Sequence, residues 1–199
     1  MSSTHLLILN AGEEAQIFGE VPHGSLYALF TTQGIGRVGV AVGLGGGEIT
    51  VGFIGSANQE WIQATPVARM SIEALTPLHL EIKPISSHGD GQELIRQWLW
   101  DLHLVRHPVG AMARLTAFLQ LMVVRFGRRN RDGYTLPFQL SHSRLAEVIG
   151  VTRSTATRLL SLLRQQGQLS FNPNDGSVLL APAMMDVAPR RWLETPSED

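Results

Sequence analysis

The chain of 199 residues contains no cysteine. That removes disulfides, thiol nucleophiles and cysteine-ligated zinc or iron–sulfur centres in one step, and it suits a reducing compartment. No stretch approaches the roughly 20 apolar residues of a membrane span. The opening MSSTHLLILN has neither a basic segment nor a long apolar run, so the expectation is a soluble, unexported, cytoplasmic protein without a membrane partner. No histidine or acid falls in the spacing of a catalytic or metal site, and neither an enzyme nor a cofactor is expected. What is present is a chain that is 44% hydrophobic, enough for one large or two small domains with real cores.

The formal net charge of −1 conceals a division. Met1 to Asp101 holds 3 Arg, 1 Lys and 10 acidic residues, whereas Leu102 to Asp199 holds 12 Arg and 7 acidic residues. The first part repels a polyanion and the second attracts one.

The pattern of apolar residues divides in the same way. Up to about Pro84 it consists of short runs broken by glycine: LLILN, SLYALF, RVGVAVG, EITVGFIG and RMSIEALTPLHLEIK. Met70, Ile72 and Ala74 lie on one alternation, and Leu78, Leu80 and Ile82 on another. Period-2 runs with glycine-rich turns predict an antiparallel barrel or sandwich. The turn cluster SSHGDG, Ser86 to Gly91, closes this region.

Helices follow. Between Gln92 and Arg106, Ile95, Trp98, Leu102 and Val105 form a heptad-like seam, widened by Leu94 and Leu99. A helix of that length is marginal alone, so the stripe must be covered. The expectation is a contact with a second copy, the alternative being the chain's own core. Pro108 and Gly110 end the helix. A second helix is predicted from about Ala111 to Phe126, followed by the arginine-rich loop GRRNRDGYTLPF.

Ser141 to Ile149 reads as a short helix capped by Ser141 or Ser143. Gly150 supplies a bend and Thr152 a cap for the next helix. There Ala156, Leu159, Leu160 and Leu163 take positions i, i+3, i+4 and i+7, the buried face. Arg153, Ser154 and Arg158 then point outward, with Thr155 and Thr157 at the borders. Helix, glycine turn and a helix with polar and guanidinium groups at its N-terminal end make a helix-turn-helix. Arginine offers a bidentate fork to guanine, threonine reaches base edges or phosphate, and a helix N-terminus favours phosphate. The residues expected at DNA are Arg153, Ser154, Thr155, Thr157 and Arg158, with Ser141, His142 and Thr152 at the helix starts. Gly167 ends the helix, and LSF and SVLLA flank NPNDG as a hairpin, completing a winged arrangement.

LAEVIGVTRSTATRLLSLLRQQGQL resembles the winged DNA-binding domain of the cAMP-receptor-like and fumarate–nitrate-type (Crp/Fnr) transcription regulators, and TRSTATR is most similar to their cyanobacterial nitrogen-control branch. The resemblance implies an α+β chain in four parts. These are a cyclic-nucleotide-binding-like jelly-roll β-barrel over 1–85, a dimerisation helix and hinge over 86–108, a winged helix-turn-helix over 109–185 and a flexible tail over 186–199. It implies a homodimer on double-stranded DNA with an inverted-repeat operator, and RNA polymerase as a further partner. It places Arg153 at a base-reading position and Arg158 at a base or phosphate. Ser154 stands where the cAMP-type proteins carry glutamate.

The barrel departs from the family pattern. Its cAMP-binding members hold ribose with a glycine–glutamate pair and phosphate with an arginine; here Phe53 follows Gly52, and Ala68 matches the arginine, with Arg69 one place away. A buried phosphate without a guanidinium is badly unsatisfied. Gly52, Phe53, Arg69 and Arg96 are the ligand candidates that remain. A 2-oxoglutarate-responsive regulator and a protein-interaction module with an unused winged domain are the alternatives to a regulator with a degenerate or unusual effector domain. Haem would need His79, His88, His103 or His107, which show no pairing, and the family's oxygen-sensing cluster needs cysteine.

Overall fold

Alternation in the first hundred residues is realised as two antiparallel sheets. In a computed structural model, described over residues 4–17, 24–42, 47–56, 59–63, 68–87 and 92–186, the strands are β1 (His5–Leu9), β2 (Glu14–Gln16), β3 (Leu26–Gln33), β4 (Ile35–Val42), β5 (Glu48–Gly55), β6 (Gln59–Gln63), β7 (Ala68–Ala74), β8 (Leu78–Ile85) and β9 (Gln92–Glu93). One sheet has the order β1-β8-β3-β6-β9 and the other β2-β7-β4-β5. Every pairing is antiparallel except the short β6–β9 ladder.

The alternations anticipated from sequence carry the core. Met70, Ile72 and Ala74, and Leu78, Leu80 and Ile82, are all buried. A Cβ on Gly36 would lie 3.0 to 3.2 Å from Leu78, Ile72 and Ile54, so the two sheets meet closely there. Beside this apolar core lies a charged one. Arg37 is completely buried on β4; its Nε donates to Glu73 Oε2 at 2.7 Å, its Nη1 to Thr50 Oγ1 at 3.2 Å, and its Nη2 pairs with Glu48, which also takes the Ser71 hydroxyl. Burial pulls the Arg37 guanidinium down, but Glu73 and Glu48 outweigh it and hold it above its ordinary value.

The helices are α1 (Leu94–Arg106), α2 (Ala111–Phe126), α3 (His142–Ile149) and α4 (Arg153–Gln165). A second, four-stranded antiparallel system, β10-β11-β13-β12, is built from β10 (Arg128–Arg129), β11 (Tyr134–Leu136), β12 (Leu169–Phe171) and β13 (Val178–Leu180). A 3-10 turn at Pro182–Met184 closes the described chain, and the buried Gln120 amide donates to Met184 O at 2.6 Å. The chain divides into two compact units, Met1–Trp100 and Asp101–Asp199, and the division falls inside α1. The tail beyond 186, expected to be flexible, and positions 88–91 of the SSHGDG cluster lie outside the described residues. No helix among the described residues is long and apolar enough to cross a membrane.

Candidate nucleic-acid interface

The candidate interface, the starts of α3 and α4, is assembled by local chemistry. Ser141 is the cap of α3, its Oγ accepting from Arg144 N–H at 3.2 Å. Gly150 then takes a left-handed conformation, φ 66 and ψ 52, which glycine adopts without Cβ strain. Thr152 caps α4: its Oγ1 accepts from Thr155 N–H at 3.2 Å and lies 3.0 Å from the Ser154 hydroxyl and 2.9 Å from that of Thr155. Ala156, Leu159, Leu160 and Leu163 are buried as the spacing predicts. The small Ala156, at 0% exposure, lets α3 and α4 approach.

The opposite face of α4 is polar. Arg153, Ser154, Thr157 and Arg158 are exposed and Thr155 half-buried. Neither the Arg153 nor the Arg158 guanidinium has an ion pair or hydrogen bond among the described residues. Thr157 Oγ1 donates to Arg153 O at 3.0 Å and lies 2.8 Å from His142 Nδ1, so the first residue of α3 is tied to the second turn of α4. Because the Thr157 proton is committed to a carbonyl, the ring nitrogen is the donor in that contact. The eight residues expected at DNA therefore fall on one contiguous stretch, the starts of α3 and α4. From Ser141 to Gly167 that stretch carries four arginines and one glutamate.

Two elements near it had weaker signals. The loop GRRNRDGY is a hairpin, β10 to β11, whose exposed Arg128 and Arg129 stand on a turn held by Asn130, with Oδ1 accepting from Asp132 N–H and Gly133 N–H. Asn followed by Asp-Gly was the available turn signal. The wing turn between β12 and β13 is held by Asn172 and Asp175 and by Gly176 at φ +69. Hydrogen bonds from the Ser177 side chain and backbone keep the Asp175 carboxyl below its ordinary value. NPNDGS contains no base, so this wing tip brings an anion rather than a cation.

The ligand candidates do not converge. Gly52 and Phe53 are covered by Trp98: a Cβ on Gly52 would lie 2.8 Å from the indole, and the Phe53 and Trp98 rings meet edge to face at 5.1 Å. Arg69 is exposed, and Arg96, 83% exposed, faces Glu93 at 3.7 Å. The seam on α1 is also revised. Trp98, Leu102 and Val105 are buried within the single chain at 2%, 7% and 0% exposure, and Ile95 is half-buried. The apolar residues left facing outward on α1 are Leu99 and Trp100, at 53% and 65%. Periodicity identified an apolar stripe correctly; it carried no information about what covers the stripe.

With this geometry in place, comparison with known proteins is decisive for the C-terminal part. Residues 113–185 match the model of the Crp-like helix-turn-helix domain. A global nitrogen regulator from Nostoc sp. is 43% identical over 113 residues, 54% of this chain and 50% of the relative. One from Synechococcus elongatus is 47% identical over 60 residues, 30% of this chain and 27% of the relative. The chain thus spans about half the length, or less, of the curated relatives it matches. Two solved structures share the fold along nearly the whole chain. A CRP-family transcriptional regulator from Thermus thermophilus has TM-score 0.63 and 17% identity, covering 92% of this chain and 97% of that one. FixK2 from Bradyrhizobium japonicum has TM-score 0.65 and 19% identity, covering 94% and 98%. Residues 113–185 thus form a Crp-like helix-turn-helix domain, related over that part to the cyanobacterial nitrogen regulators, and the chain shares with the two solved regulators an α+β fold in which an N-terminal two-sheet domain precedes a winged C-terminal domain.

Proposed function

We propose that the chain is a sequence-specific DNA-binding transcription regulator that acts as a two-fold dimer on an inverted-repeat operator and performs no catalysis. The observation that carries this reading is the outward face of α4, where Arg153 and Arg158 stand exposed and unpaired beside a helix start ordered by Thr152. An unbonded guanidinium beside a helix N-terminus suits guanine O6 and N7 or a backbone phosphate. The dimer contact runs through Leu99 and Trp100, the apolar residues that α1 leaves uncovered. Two copies so joined place reading helices about 34–36 Å apart, one turn of duplex.

The two sheets are read as a closed jelly-roll barrel of the cyclic-nucleotide-binding type over 1–85, followed by the helical linker 86–108 and the winged domain 109–185. As an effector domain it is degenerate. Gly52 is occupied from above by Trp98, and the buried Arg37 is already neutralised by Glu48 and Glu73. One guanidinium between two carboxylates leaves a local excess of negative charge, which opposes cyclic-nucleotide phosphate and the 2-oxoglutarate dianion alike.

Selection of bound sites from a random duplex library, with sedimentation of the free protein, tests the reading. The expected result is a symmetric site and a dimer at micromolar concentration. A selected site without symmetry, or no duplex affinity at low salt, would overturn it. Millimolar cAMP is expected to leave thermal stability and duplex affinity unchanged, because a ligand that prefers neither state shifts no equilibrium.

A further inference from the structure

The connection between α1 and α2, His107 to Gly110, has little packing of its own. Val109 is fully exposed, and Gly110 offers α2 no side-chain cap. The direction in which the last turns of α1 meet α2 and α3 must therefore be held by side chains, and two polar ties add to the burial of Leu102 and Val105. Asp101, almost wholly buried, accepts a 2.7 Å hydrogen bond from Arg125 in the last turn of α2. Farther along, Arg106 reaches α3: its Nε donates to Val148 O at 2.7 Å and its Nη2 to Glu147 O at 2.9 Å. The Glu147 carboxylate stands 3.4 Å away.

The end of α3 explains why an arginine is used. The last carbonyls of a helix have no donor within it. At the end of α3, Val151 N–H and Gly150 N–H turn back to Ala146 O and Glu147 O, and Arg106 supplies the donor for Val148 O. A planar guanidinium fork spans two successive carbonyls, whereas an ammonium serves them as a single point. Arg106 thus completes the helix that packs against α4 and, in the same act, fixes α1 to it.

We infer that Arg106 is a positioning residue for DNA recognition: by clamping the end of α1 to the terminal carbonyls of α3, it fixes the direction in which α4 is presented and hence the half-site spacing that a dimer accepts. The inference rests on the two-fold reading proposed above. One base pair added to a spacer turns one half-site by about 34° and moves it by about 3.4 Å. A stiff joint rejects that change, and a loose joint tolerates it.

The experiment uses the full chain and a panel of inverted repeats whose spacers differ by one and two base pairs, with affinities measured at several salt concentrations. The parent is expected to prefer one spacer by about tenfold or more, and Arg106→Gln by no more than about threefold. Base preference inside each half-site and the salt slope should be unchanged. Arg106→Lys, which keeps charge but not the fork, should resemble Arg106→Gln, and it answers the question if the glutamine variant does not fold. Glu147→Gln keeps both carbonyls and should match the parent. A folded Arg106 variant with the parent's spacer ratio overturns the inference, as does a salt slope reduced by about one, which would make Arg106 a phosphate ligand. A parent that binds no duplex, or accepts all spacers equally, removes the two-fold reading itself and this inference with it.

Discussion

Arg37 and Arg153 are the same side chain in opposite conditions. In the N-terminal unit Arg37 is fully buried and spends its donors on Glu73, Glu48 and Thr50. In the winged unit Arg153 is exposed and no acceptor among the described residues meets its guanidinium. A buried guanidinium has to find its partners inside the chain because losing water is costly. An exposed one keeps its fork available for a partner that arrives later. Charge density alone does not separate a structural arginine from one left available to a ligand; the state of its donors does.

Substitutions at the two positions should therefore fail differently. The largest effect is expected for Arg37→Met, which leaves Glu48 and Glu73 facing each other without a cation and should cost about 3–5 kcal/mol of stability in denaturant unfolding. Glu73 and Glu48 hold Arg37 above its ordinary value in the folded chain, so its contribution is complete throughout the range in which a free arginine is charged and is lost only in strong alkali. The deficit should accordingly be the same at pH 6 and pH 8. An Arg37→Met protein with unchanged stability would show that the cluster is dispensable.

Arg153→Ala should do the reverse, leaving unfolding unaltered and reducing specific affinity by roughly 1–3 kcal/mol with relaxed preference at one position of each half-site. If the same change at Arg158 weakens all duplexes alike and lowers the salt slope by about one, Arg158 grips phosphate. An Arg153→Ala protein that binds every duplex as the parent does would reduce α4 to a solvated face.

Thr152→Ala mixes the two outcomes, because it removes a cap and loosens a reading helix together. It should cost about 1 kcal/mol of stability, with a loss of duplex affinity in gel-shift or anisotropy titration. Asp175→Asn gives the smallest effect. The amide oxygen can still accept from Ser177 N–H while the wing tip loses its negative charge, so affinity should rise slightly at low salt and by less at high salt. No change at any salt would put the wing tip away from the phosphates.

How much of this was legible depends on the range of the interactions. The helix-turn-helix was readable because its signals are local. Ser141, Gly150 and Thr152 act within three or four residues, and the 3-4 spacing of Ala156 to Leu163 needs no knowledge of the rest. Alternation likewise placed Met70 to Ile82 in the core. The surroundings of Gly52 were not legible, because nothing near it in sequence announces Trp98, 46 positions on, as its neighbour, whereas the Arg96–Glu93 pair is a local i,i+3 contact. Trp98 itself was recognisable as apolar and helical, but its partner Phe53 lies more than forty positions away. Arg106 was invisible for the same reason, since its acceptors are main-chain oxygens of α3. The β10–β11 hairpin was hidden by its arginines, which weaken the apolar alternation that marks a strand.

The capping hydroxyl of Thr152 has a consequence for how loosely an operator can be spelled. Its oxygen already accepts the Thr155 amide and touches the hydroxyls of Ser154 and Thr155, and in each of those contacts either oxygen can be the donor. Hydroxyl protons rotate to suit their surroundings. The three oxygens can therefore redistribute their protons among themselves and offer a base edge either a hydrogen or a lone pair without any movement of the backbone. A base pair facing this group should tolerate exchange of donor for acceptor, leaving a degenerate letter in each proposed half-site next to the stricter one expected at Arg153.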